Sequence, residues 1–101
     1  MKQRLSILGS TGSIGVQTLD IVAENPELFE VNSLVAGKNW QLLARQAIEF
    51  DVDSVVIADE SKYEPLRDAL ASYPIKVYTG SDAICQVVRS SEVDVVVNAL
   101  V

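Results

Sequence analysis

The sequence predicts an α/β fold: a doubly wound parallel sheet of about five strands, with helices on both faces. Three observations predict it. Short apolar runs alternate with segments of helical periodicity along the whole chain. Hydrophobic residues make up 49% of the 101 and aromatics only 6%, with Val, Ile, Leu and Ala dominating, a composition that suits strands buried on both faces. The segments between the runs are long enough for right-handed crossovers, which join parallel strands. A chain of this size buries roughly two thirds of the surface its unfolded form exposes, enough for one domain over residues 1–101.

The elements run in order along the chain. Leu5-Ser6-Ile7-Leu8 is a first strand, ending at Gly9. Ile14 to Glu24 is a helix with Ile14, Thr18, Ile21 and Val22 on one face, stopped by Asn25-Pro26. Phe29 to Val35 is a second strand, closed by Ala36-Gly37. Trp40 to Phe50 is a second helix, in which Leu43, Ala44, Ala47 and Ile48 recur at helical spacing. Ser54 to Ala58 is a third strand. Ser61-Lys62-Tyr63-Glu64 fits a capping box opening a helix that runs to about Ser72, with Tyr73-Pro74 as its stop. Ile75 to Tyr78 is a short fourth strand, placed at the outer edge beside the third. Thr79-Gly80-Ser81 turns into a helix carrying Ile84, Val87 and Val88, and Val93 to Val101 is a fifth and very apolar strand.

The chemistry-bearing segment is Gly9-Ser10-Thr11-Gly12-Ser13-Ile14-Gly15, between the first strand and the first helix. Gly9 permits the tight turn off the strand. Gly12, lacking a Cβ, lets a diphosphate approach the backbone, and Gly15 lets the helix pack close to the sheet. Free amides at the helix start, with the positive end of its dipole, face the phosphates. Thr11 and Ser13 add hydroxyl donors. The spacing G-x-x-G-x-x-G is weak alone, and its place between strand and helix makes it a dinucleotide signature of the Rossmann type.

The end of the second strand distinguishes NAD from NADP. An NAD site places Asp or Glu there, about 20 residues past the glycines, to accept from the ribose 2′-OH. Here the residues are Gly37-Lys38-Asn39. Gly37 opens space, Lys38 brings a positive charge that attracts a 2′-phosphate, and Asn39 brings an amide that also suits a helix N-cap. NADPH is favoured. Trp40 either stacks on an adenine or, the preferred reading, anchors its helix to the sheet.

Other residues are assigned structural roles. Cys85 is expected to be a small buried apolar residue, since the chain has no histidine to activate it. Asp51, Asp53, Asp59 and Glu60 are expected as caps and solvated loop ends, and Asp94 at an exposed strand end. No acid/base pair, metal cluster or nucleophile stands out, so neither catalytic nor metal-binding residues are assigned. The net charge of −6 comes without any Lys/Arg stripe, which argues against nucleic acid as a partner. The first apolar run is too short for a signal peptide or membrane span, and one cysteine cannot form an internal disulfide, so a cytoplasmic protein is expected.

The runs Leu8-Gly9-Ser10-Thr11-Gly12-Ser13-Ile14-Gly15, Thr18-Leu19-Asp20, Asn25-Pro26, Leu34-Val35-Ala36-Gly37-Lys38-Asn39 and Val95-Val96-Val97-Asn98-Ala99-Leu100-Val101 together resemble the 1-deoxy-D-xylulose 5-phosphate reductoisomerases. The resemblance covers the whole chain in order and spacing. It implies an amino-terminal NADPH-binding segment of a cytosolic or plastid homodimer that rearranges and reduces 1-deoxy-D-xylulose 5-phosphate to 2-C-methyl-D-erythritol 4-phosphate in non-mevalonate isoprenoid synthesis. It further implies a Mg²⁺ or Mn²⁺ ion chelated by the phosphorylated sugar substrate and by carboxylates later in the chain. By motif, Thr11, Gly12, Ser13 and Ile14 line the cofactor's phosphate and ribose region, Gly37, Lys38 and Asn39 its 2′-phosphate end, and Ala99 lies nearby.

Two other readings stay open at the level of the residues: another NADP-dependent Rossmann oxidoreductase, or an α/β scaffold without catalysis. The Gly37-Lys38-Asn39 turn favours the reductoisomerase. The sequence ends within an apolar run, with five strands where a Rossmann domain has six, so a truncated domain, inactive by itself, is expected.

Overall fold

Parallel pairing throughout is what alternating strands and helices demand, and the computed structural model, which describes residues 2–100, has it in every ladder. The elements run β1 (Gln3–Leu8), α1 (Ser13–Glu24), β2 (Phe29–Ala36), α2 (Trp40–Glu49), β3 (Ser54–Ile57), a 3₁₀ turn (Glu60–Lys62), α3 (Tyr63–Ala69), β4 (Lys76–Thr79), α4 (Ser81–Val88) and β5 (Val95–Asn98). The sheet order is β4-β3-β2-β1-β5, so β4 takes the outer edge beside β3. The chain steps outward from β1 to β4, then returns to the other side of β1. That reversal places the carboxyl ends of β1 and β5 side by side, where open α/β sheets form their ligand crevice.

The helices are divided three to one. Leu5, Ile7, Leu34, Val55 and Ile57 of the strands pack with Leu19 and Val22 of α1, Leu43 and Ala47 of α2, and Leu66 of α3. Val35 and Val56 point the opposite way, onto Ala83 and Val87 of α4. The alternation along β2 and β3 thus buries both faces, as the composition requires. In β1 and β2 the register jumps between Leu5↔Val31 and Ser6↔Ser33, which leaves Asn32 as an extra residue. Beyond the bulge, Ser33 Oγ donates to Ser6 Oγ at 2.7 Å, and both residues are fully buried.

Several local expectations are corrected. The buried stripe of α1 is Gly15, Leu19 and Val22, while Ile14 and Ile21 are exposed and the Thr18 hydroxyl donates to the Ile14 carbonyl. Gly15 must face the preceding loop, and that contact sets the rotation of the helix. In α2, Ile48 lies at the exposed margin rather than in the core. The Ser61–Glu64 capping box is absent. Asp59 caps instead, accepting from Ser61 N–H at 3.0 Å and Ser61 Oγ at 2.6 Å, because a 3₁₀ turn precedes α3. The regular part of α3 stops at Ala69, short of Ser72.

Cys85 is exposed, not buried, because α4 seats Ala83 and Val87 on the sheet and turns Cys85 outward. β5 is shorter than the apolar run: Val95 and Val97 pack on the three-helix core, Val96 is exposed, and Val101 lies outside the described residues. Asp94 precedes the strand and meets the Arg4 guanidinium at 3.1 Å. Trp40 packs against the core, as an anchor does.

Candidate functional site

The glycine loop leaves β1 at the strand-order reversal. Gly9 turns the chain with φ +82°, a conformation that side chains resist. A Cβ there would also meet the Ala99 carbonyl carbon and oxygen at 3.1 Å, so the loop after β5 closes against it. The Gly9 and Ser10 amides both donate to the Val35 carbonyl of β2, at 2.7 and 3.1 Å. Ser10 is fully buried, and its own carbonyl accepts from Gln46 Nε2 of α2 at 2.9 Å. The loop is therefore held by β1, β2, β5 and α2.

Past Ser10 the loop opens to solvent. Gly12 is the N-cap of α1 in extended conformation (φ −79°, ψ 175°), with no side chain capping the helix. The first intrahelical bond runs from Val16 N–H to the Gly12 carbonyl at 2.9 Å. The amides of Ser13, Ile14 and Gly15 precede it and have no intrahelical acceptor. Gly12, Ser13 and Ile14 are exposed and Thr11 is half-buried. A Cβ on Gly12 would have a single neighbour within 4 Å, the Gly9 carbonyl oxygen at 3.6 Å. Its bareness thus serves no packing need of the domain and leaves room for an approaching group. Gly15 differs: a Cβ there would run into the Gly9 carbonyl oxygen and lie 2.6 Å from Ser10 Cα. Its role is to seat the helix against its own loop rather than directly against the sheet.

The second cluster lies at the end of β2. Gly37, Lys38 and Asn39 are exposed, and a Cβ on Gly37 would meet nothing within 4 Å. The backbone is fixed nonetheless: the Gly37 carbonyl accepts from Asp59 N–H at 2.9 Å, and the Lys38 carbonyl from Trp40 N–H at 2.8 Å. Asn39 caps α2, its Oδ1 accepting from Leu42 N–H at 3.2 Å, which leaves the Nδ2 donor for another partner.

Sequence reasoning missed that Asp59 comes beside this turn. The Ser61 hydroxyl, then the Ser61 amide, holds its carboxyl below the usual carboxylate range, with Lys62 and then Lys38 adding to the effect through their charge. The carboxylate is thereby committed to its own turn. Ala99 sits beside Gly9 with its side chain buried and its N–H donating to the Leu8 carbonyl at 2.8 Å.

The two glycine clusters are thus mounted on neighbouring strands, at the carboxyl edge of the sheet. The arrangement offers unpaired helix-start amides to an anion on one strand end and a lysine on the next. Known proteins place it further. The family described as 1-deoxy-D-xylulose 5-phosphate reductoisomerase matches residues 5–101.

The chain belongs to that family.

A reductoisomerase of Porphyromonas gingivalis is 52% identical over 101 residues, covering 100% of this chain and 26% of its own length. The chain thus spans about a quarter of the curated relatives it matches. The reductoisomerase of Zymomonas mobilis, solved in complex with NADPH, superposes with a TM-score of 0.82 at 36% identity, over 85% of this chain and 23% of that one. A reductoisomerase solved with NADPH, fosmidomycin and magnesium reaches a TM-score of 0.92 at 28% identity, over 97% and 24%. The reductoisomerase fold of this segment is a Rossmann-like α/β domain. Among the described residues, no group of three or more His, Cys, Asp or Glu is placed to hold a metal ion. No helix among them is long and apolar enough to cross a membrane.

Proposed function

We propose that this chain is the amino-terminal NADPH-binding domain of a 1-deoxy-D-xylulose 5-phosphate reductoisomerase. The observation that carries this reading is the open glycine loop at the strand-order reversal, with the lysine-bearing turn on the neighbouring strand. The residues fit the group. Gly12 and Gly37 are bare where a side chain would occupy the approach, and neither is required bare by contacts within the domain. NADPH, when bound, supplies the hydride for reducing the rearranged aldehyde.

The chain's own residues bind and orient. The amides of Ser13 and Ile14, with the Thr11 and Ser13 hydroxyls, would receive the diphosphate against the α1 dipole. Ile14, exposed beside them, would give an apolar contact to the ribose. Gly9 and Gly15 would shape the loop around the diphosphate, and the Gly15 amide adds a third free donor at the helix start. Lys38 would pair with the 2′-phosphate, helped by Asn39 Nδ2, while Gly37 leaves room for the adenosine. Ala99, beside Gly9, would approach the cofactor through its backbone.

In the whole enzyme, a cytoplasmic homodimer in this reading, the Mg²⁺ or Mn²⁺ ligands and the sugar-phosphate site belong to other parts of the chain. The 101-residue segment binds cofactor and does not turn over substrate. Calorimetric titration with NADPH and NADH tests the proposal. Wild type is expected to prefer NADPH, and Lys38→Glu to lose about tenfold or more of NADPH affinity by setting a carboxylate against the 2′-phosphate. Equal affinity of the wild type for both cofactors refutes the reading of the second strand.

A further inference from the structure

Gln46 is the one polar residue among the buried positions of α2, whose other members are Leu43, Ala44 and Ala47. It is 7% exposed and 36 positions from Ser10, the residue it reaches. Its Nε2 donates to the Ser10 carbonyl at 2.9 Å, which fixes the amide's orientation, since a flipped amide would press Oε1 against that carbonyl. Gln46 Oε1 and Ser10 Oγ are both buried without a hydrogen-bond partner. A leucine or methionine would fill this place without burying an unpaired amide oxygen of its own, so packing does not explain a glutamine. The carbonyl it holds explains one. Ser10 is the loop residue gripped on every side: its N–H by Val35, its carbonyl by Gln46, and its Cα against Gly15.

We infer that Gln46 is a positioning residue for the cofactor's diphosphate. Through the Ser10 carbonyl it keeps the glycine loop in the one arrangement that aims the Ser13 and Ile14 amides outward. This rests on the NADPH reading above. Without the Nε2 donor, the buried Ser10 carbonyl lacks its partner and the loop redistributes among arrangements that satisfy it. The apparent dissociation constant rises as the competent fraction falls. The adenosine end has backbone ties of its own, to the Asp59 and Trp40 amides, so loss of the Gln46 contact leaves it in place.

The test uses the full chain with Gln46→Met, which keeps the length and removes the donor, and Gln46→Leu, which removes it with a shorter apolar side chain. NADPH is compared with 2′-AMP, which carries the 2′-phosphate and no diphosphate. NADPH affinity is expected to fall about tenfold, the scale of one lost buried hydrogen bond, with 2′-AMP affinity unchanged. In wild-type protein, independently of any variant, the Gln46 side-chain amide resonance is expected to shift on titration with NADPH and not with 2′-AMP. NADPH and 2′-AMP weakening in parallel, or undiminished NADPH binding in the variants, overturns the role of Gln46 while leaving the cofactor reading intact. So does an amide resonance indifferent to NADPH. Wild-type protein that binds neither ligand overturns both.

Discussion

Replacing Gly15 or Gly12 by alanine adds the same methyl three residues apart and should have opposite consequences. A Cβ on Gly15 would lie 2.6 Å from Ser10 Cα and 2.7 Å from the Ser10 carbonyl carbon. Carbon atoms pack best at about 3.5–4.0 Å, so helix and loop must separate by about 1 Å. Both neighbours are backbone, and overpacking a tight site costs about 3 kcal/mol at the upper end of its usual range. Alanine recovers about 1 kcal/mol in helix propensity, leaving Gly15→Ala destabilised by about 2 kcal/mol. Gly12→Ala meets the Gly9 carbonyl oxygen at an ordinary 3.6 Å and keeps an ordinary φ of −79°. Its stability cost is that of alanine at an N-cap, less than about 1 kcal/mol. The Gly12 methyl instead occupies the space left for the diphosphate, so NADPH affinity should fall about tenfold or more. Equilibrium urea unfolding measures the first quantity and calorimetry the second. Gly15→Ala as stable as wild type would refute the packing argument, and undiminished NADPH binding by Gly12→Ala would refute the site.

Buried polar groups and surface charges give further outcomes. Ser33→Ala strands the Ser6 hydroxyl in the sheet, and should cost about 1–3 kcal/mol in urea unfolding. Adding Ser6→Ala should cost less than the sum of the two single changes, because the stranded group is removed as well. The Asp94 carboxyl is held below its ordinary range by the hydrogen bond from the Arg4 guanidinium, then by the Arg4 amide. A depressed carboxyl contributes stability above its unfolded pKa of about 3.9 and loses it as pH falls through the lower folded value. The urea midpoint of wild type should therefore drop below about pH 4, and drop less steeply in Asp94→Asn. Identical acid slopes for the two proteins would remove Arg4–Asp94 from the account.

The elements were legible because hydrophobic period and punctuation change together along this chain. Gly9, Asn25-Pro26, Gly37 and Gly80 each fall where one period gives way to the other. What sequence misplaced was decided by contacts between elements. The rotation of α1 follows from Gly15 meeting Ser10, and a count of apolar residues preferred Ile14 and Ile21 to the stripe that is buried. The cap before α3 moved to Asp59 because the 3₁₀ turn begins at Glu60, ahead of Ser61. Cys85 escapes burial because a short helix on a sparsely covered face buries only part of its apolar set. Gln46 left one trace: it stands three residues after Leu43 and one before Ala47, a polar residue within an apolar stripe.

The two clusters of the candidate site share one support, which bears on how their roles separate. The parallel register Leu8↔Val35 brings the Val35 carbonyl to the Gly9 and Ser10 amides, and two residues later the same strand delivers Gly37. The spacing between the clusters is therefore set by the end of β2, not by either loop. The turn at 37–39 is tied through the Gly37 and Lys38 carbonyls, and the Lys38 side chain takes no part in those bonds. A change at Lys38 can alter the charge offered to a 2′-phosphate while the backbone beneath it and the glycine loop keep their places. In the proposed site, preference between cofactors would rest on exposed side chains, and the grip on the diphosphate on exposed helix-start amides whose loop is anchored by the buried main chain of Ser10. Changes at Lys38 would then leave the fold untouched, whereas changes at the Ser10 anchor would disturb both the loop and the domain beneath it.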